Sequence, residues 1–351
     1  SMCKVLLAAG FVQTNDPCVY HLWQGEDLLV ASVHVDDVFA IATDDNMLDR
    51  LDDALAGAFE TPEYKLTRHL GPQLSYLKMM INHKEDGSVE VDQQLYLEKV
   101  IRDWGHGYGE SARGERLIDD AEEGTNSHPM QATHVPREDD EVPIDSTWYR
   151  GVVGAINYAA TMTRPDLLYA MSVLASHSAQ PTRLHRRMLK RVMRYLVATK
   201  HWKLTFNHDD DWELAAWADA SYASREGCKS QTGYCFALGE GNASFYVKSQ
   251  KQKIVTLSST EAEYVALFHA VTEVVYLRRL LEELGLEQRA TRVFQDNQST
   301  ILWAQGHQNH ARTKHIAIKY HYVMQLVQDG TIELEHLPTE DTRADLQTKP
   351  L

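Results

Sequence analysis

Cysteine is scarce: the 351 residues hold four, Cys3, Cys18, Cys228 and Cys235, with no CxxC pair and no neighbouring His at zinc spacing. Neither a disulfide framework nor a structural zinc site is expected, and all four read as reduced thiols. Long apolar runs are missing too. No stretch approaches about 18 consecutive apolar residues, the length that marks a membrane-spanning helix. The start, SMCKVLLAAGF, lacks the apolar core and cleavage site of a secretory signal, so no membrane association and a cytoplasmic or nuclear setting are expected. Positive charge is short overall, 35 Lys plus Arg against 50 Asp plus Glu, a net of -15. Because phosphate binding needs cations to displace counterions, that sum alone argues against nucleic acid. Apolar residues, at 43%, are abundant enough to exclude a wholly disordered chain, and the length suits two or so domains.

The distribution of charge changes the picture. From Asp103 to Asp145 twelve acids stand against three arginines, in a stretch holding GHGYGE, DDAEEG and PREDDEVP. Such a segment is expected to be a solvated linker or long loop. From Leu167 to His208 there is no acid, while Arg183, Arg186, Arg187, Lys190, Arg191, Arg194, Lys200 and Lys203 supply eight positive charges. Leu184, Met188, Val192 and Leu196 recur there every four residues, the apolar stripe of a helix flanked by Arg183, Arg187, Lys190, Arg191 and Arg194. That flank faces either water or phosphate, and the long acid-free window puts the two alternatives level.

Four regions follow, and no internal repeat is found. Residues 1–102 are mixed: Leu28 to Ala42 is apolar and β-branched around a polar centre, Asp45 to Phe59 looks helical, and Gln94 to Trp104 reads as a short helix. Residues 103–147 are the acidic linker. Residues 148–200 are helical, broken at Arg164-Pro165-Asp166 because proline disfavours helical geometry in the residue before it. Residues 201–351 form a second α/β unit with strands at LTF, LAAWADAS, TGYCFALG, ASFYVKS, VFQ and TIELEHL, a hairpin turn at Gly239 to Asn242, and a long helix from Thr260. Early antiparallel strands followed by alternating helices and strands give a mixed sheet covered by helices.

Four carboxylates in this unit sit at unusual places. Asp219 interrupts the apolar strand LAAWADAS, where an acid needs a positive charge to offset its desolvation. Glu263 lies in line with Leu267, Ala270, Val274, Leu277 and Leu281, on the buried stripe of its helix, although Thr260 and Glu263 also fit a capping box. Asp296 ends the strand VFQ, where a loop or cap Asp is the plainer alternative, and Asp345 in TRADLQT is equally suited to a helix surface. Together, a strand Asp, a Glu at the start of the next helix, a strand-end Asp and an Asp on a last helix can converge as oxygen ligands for two divalent cations. Hard cations such as Mg prefer these ligands.

The strings WADAS, KSQKQKIVTLSSTEAEYVAL, QDNQSTI, HARTKHIAIKYH and HLPTEDTRADLQTKPL resemble the ribonuclease H domain of copia-type LTR retrotransposon polyproteins. TWYRGVVGAINYAATMTRPDLLYAMSVL resembles the segment joining reverse transcriptase to ribonuclease H in that family, and GFVQTNDPCVY with VHVDDVF resembles the second half of its polymerase palm. The resemblance implies an α/β (α+β) chain: a truncated palm over 1–102, the acidic linker 103–147, a thumb- or connection-like helical segment over 148–200, and a ribonuclease H-like five-stranded mixed sheet in 201–351. It assigns Asp219, Glu263, Asp296 and Asp345 to the catalytic metal-binding tetrad, with two divalent cations, Mg or in its place Mn. The implied reaction is hydrolysis of the RNA strand of an RNA:DNA hybrid, recognised through 2'-hydroxyls with little sequence preference. A homodimer, a longer polyprotein context and virus-like particles come with the same resemblance. The competing reading is a catalytically silent nucleic-acid-binding or structural remnant.

Some ribonucleases H use a His loop before the last Asp to assist product departure, yet Pro338 to Ala344 holds no His; His315 is a substitute candidate. Lys248, Lys251 and Lys253 either line the hybrid backbone or protect an exposed edge strand, and Arg312 and Lys314 join the nucleic-acid-binding candidates. In the palm remnant Asp36 and Asp37 fit the paired metal-binding acids, with His34 where the family usually has Tyr, and Tyr76-Leu77-Lys78 stands where Phe-Leu-Gly is common. The family's earlier palm Asp and fingers lie upstream of GFVQTNDPCVY, so primer extension is not expected of residues 1–102.

Overall fold

The computed structural model describes residues 1–112, 115–119, 127–132, 135–208, 211–306 and 317–350. Its first sheet is an antiparallel meander, β1 (Val12–Gln13), β2 (Val19–Gln24), β3 (Asp27–His34) and β4 (Asp37–Ala42), in that order. Alternation sends Tyr20, Leu22, Leu29 and Ala31 to the face covered by α1 (Met2–Ala8) and α2 (Asp45–Phe59). Helix α2 occupies the span its sequence predicts: the Asp44 side chain accepts from the Asn46 amide at 2.9 Å, and Met47, Leu51 and Leu55 form the buried stripe. The β3–β4 hairpin closes between His34 and Asp37, which leaves Val35 in the turn at φ 57, a costly conformation for a β-branched residue.

A second antiparallel sheet runs β5 (Gln73–Tyr76), β6 (Met79–His83), β7 (Val89–Asp92) and then β8 (Leu204–Phe206). The β8 strand, LTF, is a correction to the sequence reading, which placed it in the C-terminal sheet. The open edge of β7 takes it instead, pairing Val89 with Phe206, and Lys203 Nζ reaches Glu90 Oε2 at 2.6 Å. Between β5 and β6, Leu77 and Lys78 both adopt positive φ, 49° and 64°, so a lysine occupies backbone geometry that suits glycine. Helix α3 (Gln94–Val100) continues through a π-turn at Ile101–Gly105, matching the helical reading of Gln94 to Trp104.

Three helices, α4 (Ser146–Met162), α5 (Leu168–Ala175) and α6 (Arg183–Thr199), pack Tyr149, Ile156, Leu167, Met171, Leu189, Val192 and Leu196 into one core with α3. The break between α4 and α5 falls at Arg164-Pro165-Asp166 as predicted. Arg164 is only 1% exposed there; its Nε donates to Asp166 Oδ1 at 2.9 Å, its Nη1 to the Thr199 carbonyl at 2.9 Å, and its guanidinium lies against the Tyr195 and Trp202 rings.

The acidic segment departs from the solvated linker that its composition predicts. Leu117, Ile118 and Met130 are buried in the helical core, and the Leu117 and Ile118 amides both donate to the Gly105 carbonyl, at 2.9 and 3.0 Å. Its acids meet α6: Asp139 Oδ2 accepts from Arg183 at 2.8 Å, Glu115 Oε2 lies 2.8 Å from Arg186, and Asp140 Oδ2 accepts from Arg187 at 3.0 Å. Acid-rich and acid-free stretches are therefore partners, with Arg183 in a solvent-exposed pair and Arg187 in a largely buried one.

The third sheet has the order β11-β10-β9-β12-β13, built from β9 (Leu214–Arg225), β10 (Lys229–Leu238), β11 (Tyr246–Lys251), β12 (Thr291–Gln295) and β13 (Ile332–His336). The first three are antiparallel, while β12 runs parallel to both β9 and β13, giving the mixed five-stranded sheet expected from sequence. Helices α7 (Ser259–Glu283), α8 (Gln298–Ala304) and α9 (Ala317–Gln328) accompany it, with Tyr264, Leu267, Val271 and Val274 of α7 packed on the sheet. The β11 strand is not an exposed edge: it is half-buried throughout and Val247 packs against the helical core. Among the described residues no helix is long and apolar enough to cross a membrane.

The two kinds of arginine pair on α6 differ in exposure, which separates their expected effects. Asp140→Ala leaves the Arg187 guanidinium largely buried without its carboxylate, and urea unfolding should show a loss of about 2–4 kcal/mol. Arg183→Ala, at a pair open to solvent, should cost under about 1 kcal/mol. Equal losses would show that the docking of the segment does not depend on the Asp140 pair.

Candidate metal centre

Asp219 stands in the buried run Leu214 to Ala220 of β9, the central strand, whose two faces are both covered. It is 2% exposed and faces Gly233 in the β9–β10 ladder. The glycine is required: a Cβ there would come within 2.7 Å of Gln347 Cβ and Thr348 Cγ2. Its absence lets the C-terminal segment lie on β10 and carry Asp345 and Thr348 to this end of the sheet.

Glu263 reaches the same place from α7. The helix cap lies two residues before the Thr260–Glu263 box that sequence allowed: Ser258 Oγ accepts from the Glu261 amide at 3.2 Å, and Glu261 Oε2 accepts from the Leu257 amide at 2.8 Å. Glu263 is thereby released from capping and points toward β9, 6% exposed, with Gln295 Nε2 at 3.4 Å as its side-chain donor. Asp296 follows β12 and is also free of capping, because Asn297 Oδ1 accepts from the Thr300 amide at 3.1 Å at the start of α8. Its Oδ2 accepts from Thr339 Oγ1 at 2.7 Å. Asp345 sits in a short helix of 3-10 type, Arg343–Gln347, where sequence places the last helix, and is ion-paired with Lys349.

One oxygen from each of Asp219, Glu263 and Asp296 lies within 4.8 Å of the other two. Burial pushes the Asp219 carboxyl up to about 6; the Thr348 hydroxyl and Lys349 oppose the shift, and the charges of Asp296 and Asp345 add to it. Glu263 is raised well above the usual carboxylate range by burial first, then by Asp219 and Asp296. Buried like charges of this kind are only partly compensated within the protein, and an all-oxygen set of hard donors suits a Mg-type cation.

The remaining candidates are spread elsewhere. Asp36 and Asp37 lie exposed at the β3–β4 turn, and among the described residues no third carboxylate, His or Cys converges on them. Lys248 and Lys251 are on β11, two strands from Asp219, with Lys253 just beyond. Lys190 and Arg194 belong to α6. Arg312, Lys314 and His315 lie outside the described residues. Sequence reasoning missed His336, whose Nε2 lies 3.1 Å from the Asp296 carbonyl oxygen at the end of β13. A search for a His before Asp345 that began at the last strand, rather than at Pro338, would have found it. Thr339, Thr348 and Lys349 carried no comparable signal.

No protein-family model matches the chain. It is 30% identical over 340 residues to the retrovirus-related Pol polyprotein from transposon TNT 1-94 of Nicotiana tabacum, covering 95% of this chain and 24% of that one. It is also 30% identical over 356 residues to the retrovirus-related Pol polyprotein from transposon RE1 of Arabidopsis thaliana, covering 99% and 22%. The chain thus spans about a quarter of the length of these curated relatives. Among solved structures, LC11-RNase H1 in complex with RNA/DNA hybrid aligns with 39% of this chain and 94% of its own, at 16% identity and a TM-score of 0.31.

The elevated carboxyls predict a pH dependence with a definite sign. Protons compete with a cation for Asp219, so Mn affinity measured by calorimetry should fall as pH drops through about 6, with protons released on binding. In the cation-free protein the folded state holds the Asp219 proton more tightly than the unfolded chain does. Stability contributed by this group is therefore lost as pH rises from 3.8 to about 6. Asp219→Asn should raise cation-free stability at pH 7.5 by about 1–2 kcal/mol, and a clear loss instead would show that the carboxylate is compensated.

Proposed function

This chain is a homologue of the retrovirus-related Pol polyproteins of copia-type transposons, and from that premise we propose that its third sheet carries a ribonuclease H. The activity is hydrolysis of the RNA strand of RNA:DNA hybrids, dependent on two divalent cations, Mg with Mn as a substitute. The observation that carries this reading is the convergence of Asp219, Glu263 and Asp296 oxygens in a buried place, with Asp345 brought alongside by the C-terminal turn.

Bound cations there supply charge neutralisation at the scissile phosphate and activation of the attacking water. The chain's own residues do the positioning. Asp219 is held rigidly by the central strand and Glu263 by the first turns of α7, so neither carboxylate needs to reorganise. Thr339 orients Asp296 through its hydroxyl, and Gln295 does the same for Glu263. His336, exposed beside Asp296, is placed to exchange a proton with a departing product while remaining outside the buried cluster. Recognition of the hybrid through backbone and 2'-hydroxyls gives little preference for base sequence.

Cleavage of a labelled hybrid in Mg or Mn tests the reading directly. Asp219→Asn, Glu263→Gln and Asp296→Asn should each lower the rate by more than about a hundredfold. Calcium should support little turnover, its looser coordination being poorly matched to the geometry of attack. Undiminished cleavage by any of the three variants removes the assignment. His336→Ala should lower turnover by about 10- to 100-fold at saturating hybrid and leave Mn affinity unchanged; a parallel loss of affinity would make His336 part of the cation site instead.

With Asp36 and Asp37 exposed at a turn, this chain on its own should not extend oligo(dT) on poly(rA), since nucleotidyl transfer rests on positioning both reactants. Extension that disappears in Asp36→Asn would show that the palm acids do work as a centre.

A further inference from the structure

If Asp219, Glu263, Asp296 and Asp345 form a cation centre, the protein brings a cation of its own to it. Lys349 Nζ is ion-paired with Asp345 Oδ1. A pair four residues apart is ordinary on a helix surface and contributes little there. Three observations set Lys349 apart. Its amine is held in the field of Asp219 and Asp296, which come from β9 and the end of β12, as well as in that of Asp345. Thr348, immediately before it, donates its hydroxyl to Asp219 Oδ2, so two successive residues fasten two different carboxylates. The segment is also fixed from beneath, by the close approach to Gly233 and by Ser249 Oγ donating to the Gln347 carbonyl at 2.5 Å.

The consequence is an asymmetry among the four acids. Three oxygens gather within 4.8 Å of one another, and Asp345 is engaged apart from them by an ammonium. We propose that Lys349 controls the second cation position: its ammonium occupies Asp345, and that carboxylate becomes a ligand only when Lys349 leaves it. A first divalent ion is taken by Asp219, Glu263 and Asp296. The second must displace a charge already in place, so the two affinities separate, and the C-terminal turn keeps the centre half-filled at low cation concentration. This inference rests on the cation-centre reading given above.

Mn binding to the whole chain, counted by electron paramagnetic resonance of free Mn and by calorimetry, tests it. Wild type should bind one Mn tightly and a second more weakly. Lys349→Met should tighten the second by roughly 5- to 100-fold, the usual range for coupling between sites, and leave the first unchanged. Lys349→Arg should preserve the separation, and Asp345→Asn should abolish the second site in either background. A second site that is unaltered or weakened in Lys349→Met overturns the role of Lys349 while leaving the cation centre standing. No Mn bound by a wild-type chain whose thermal unfolding shows it folded overturns the cation centre, and this inference with it.

Discussion

Two ionisable side chains removed from water, Asp219 and Glu263, set the terms for the third sheet and for what packs on it. An isolated buried carboxylate is costly, and two close together repel as well. The fold responds by surrounding them with small donors on rigid elements: the Thr348 hydroxyl on Asp219 and the Gln295 amide on Glu263. Each donor arrives from a different part of the chain, so the carboxylates lie where β9, α7, β12 and the C-terminal turn meet. Burial first, and repulsion between the carboxylates after it, still push both groups upward, and relief of that cost is what a divalent ion would gain by entering.

A second constraint is the long-range neutralisation of α6. The net charge of the chain is negative, yet its acids and bases are sorted into separate stretches that meet in space. Burial of Leu117, Ile118 and Met130 accompanies the ion pairs, so the segment docks through apolar contacts and charge together. Exposed pairs alone are weak, whereas the Arg187–Asp140 pair is largely withdrawn from solvent and helps specify where the segment lies. For nucleic-acid binding this shifts attention away from Arg183 and Arg187, whose hydrogen bonds are already made to acids of the chain itself.

Much of this was legible in the amino-acid sequence because it is locally encoded. The α2 boundaries follow from Asp44 and the Met47, Leu51 and Leu55 stripe, and the break at Pro165 from the conformational restriction that proline imposes. An acid inside LAAWADAS and a Glu on an apolar stripe marked two members of the centre before any packing was known. What stayed hidden was non-local. Periodicity cannot tell that LTF pairs with β7 across more than a hundred residues, or that an acidic stretch will bury Leu117, Ile118 and Met130 in the core of the helical unit. The cap at Ser258 shows a subtler limit: two overlapping candidates fit the same sequence motif, and only the tertiary placement of Glu263 decides between them.

The helical unit and the third sheet are joined by polar contacts that run beside the apolar contact of Val247. Gln231 Nε2 donates to Ser172 Oγ at 3.0 Å and to Ser249 Oγ at 2.9 Å, while Arg225 Nη1 donates to Gln231 Oε1 at 2.7 Å. Ser249 in turn donates to the Gln347 carbonyl, two residues from Lys349. A chain of directional bonds therefore runs from α5 through β10 and β11 to the C-terminal turn. Such bonds fix orientation more strictly than apolar packing does, because each N–H and O–H must point along the line to its acceptor. The position of the helical unit is thereby tied to the segment that presents Asp345, and a shift of α5 against the sheet has a direct route to that carboxylate.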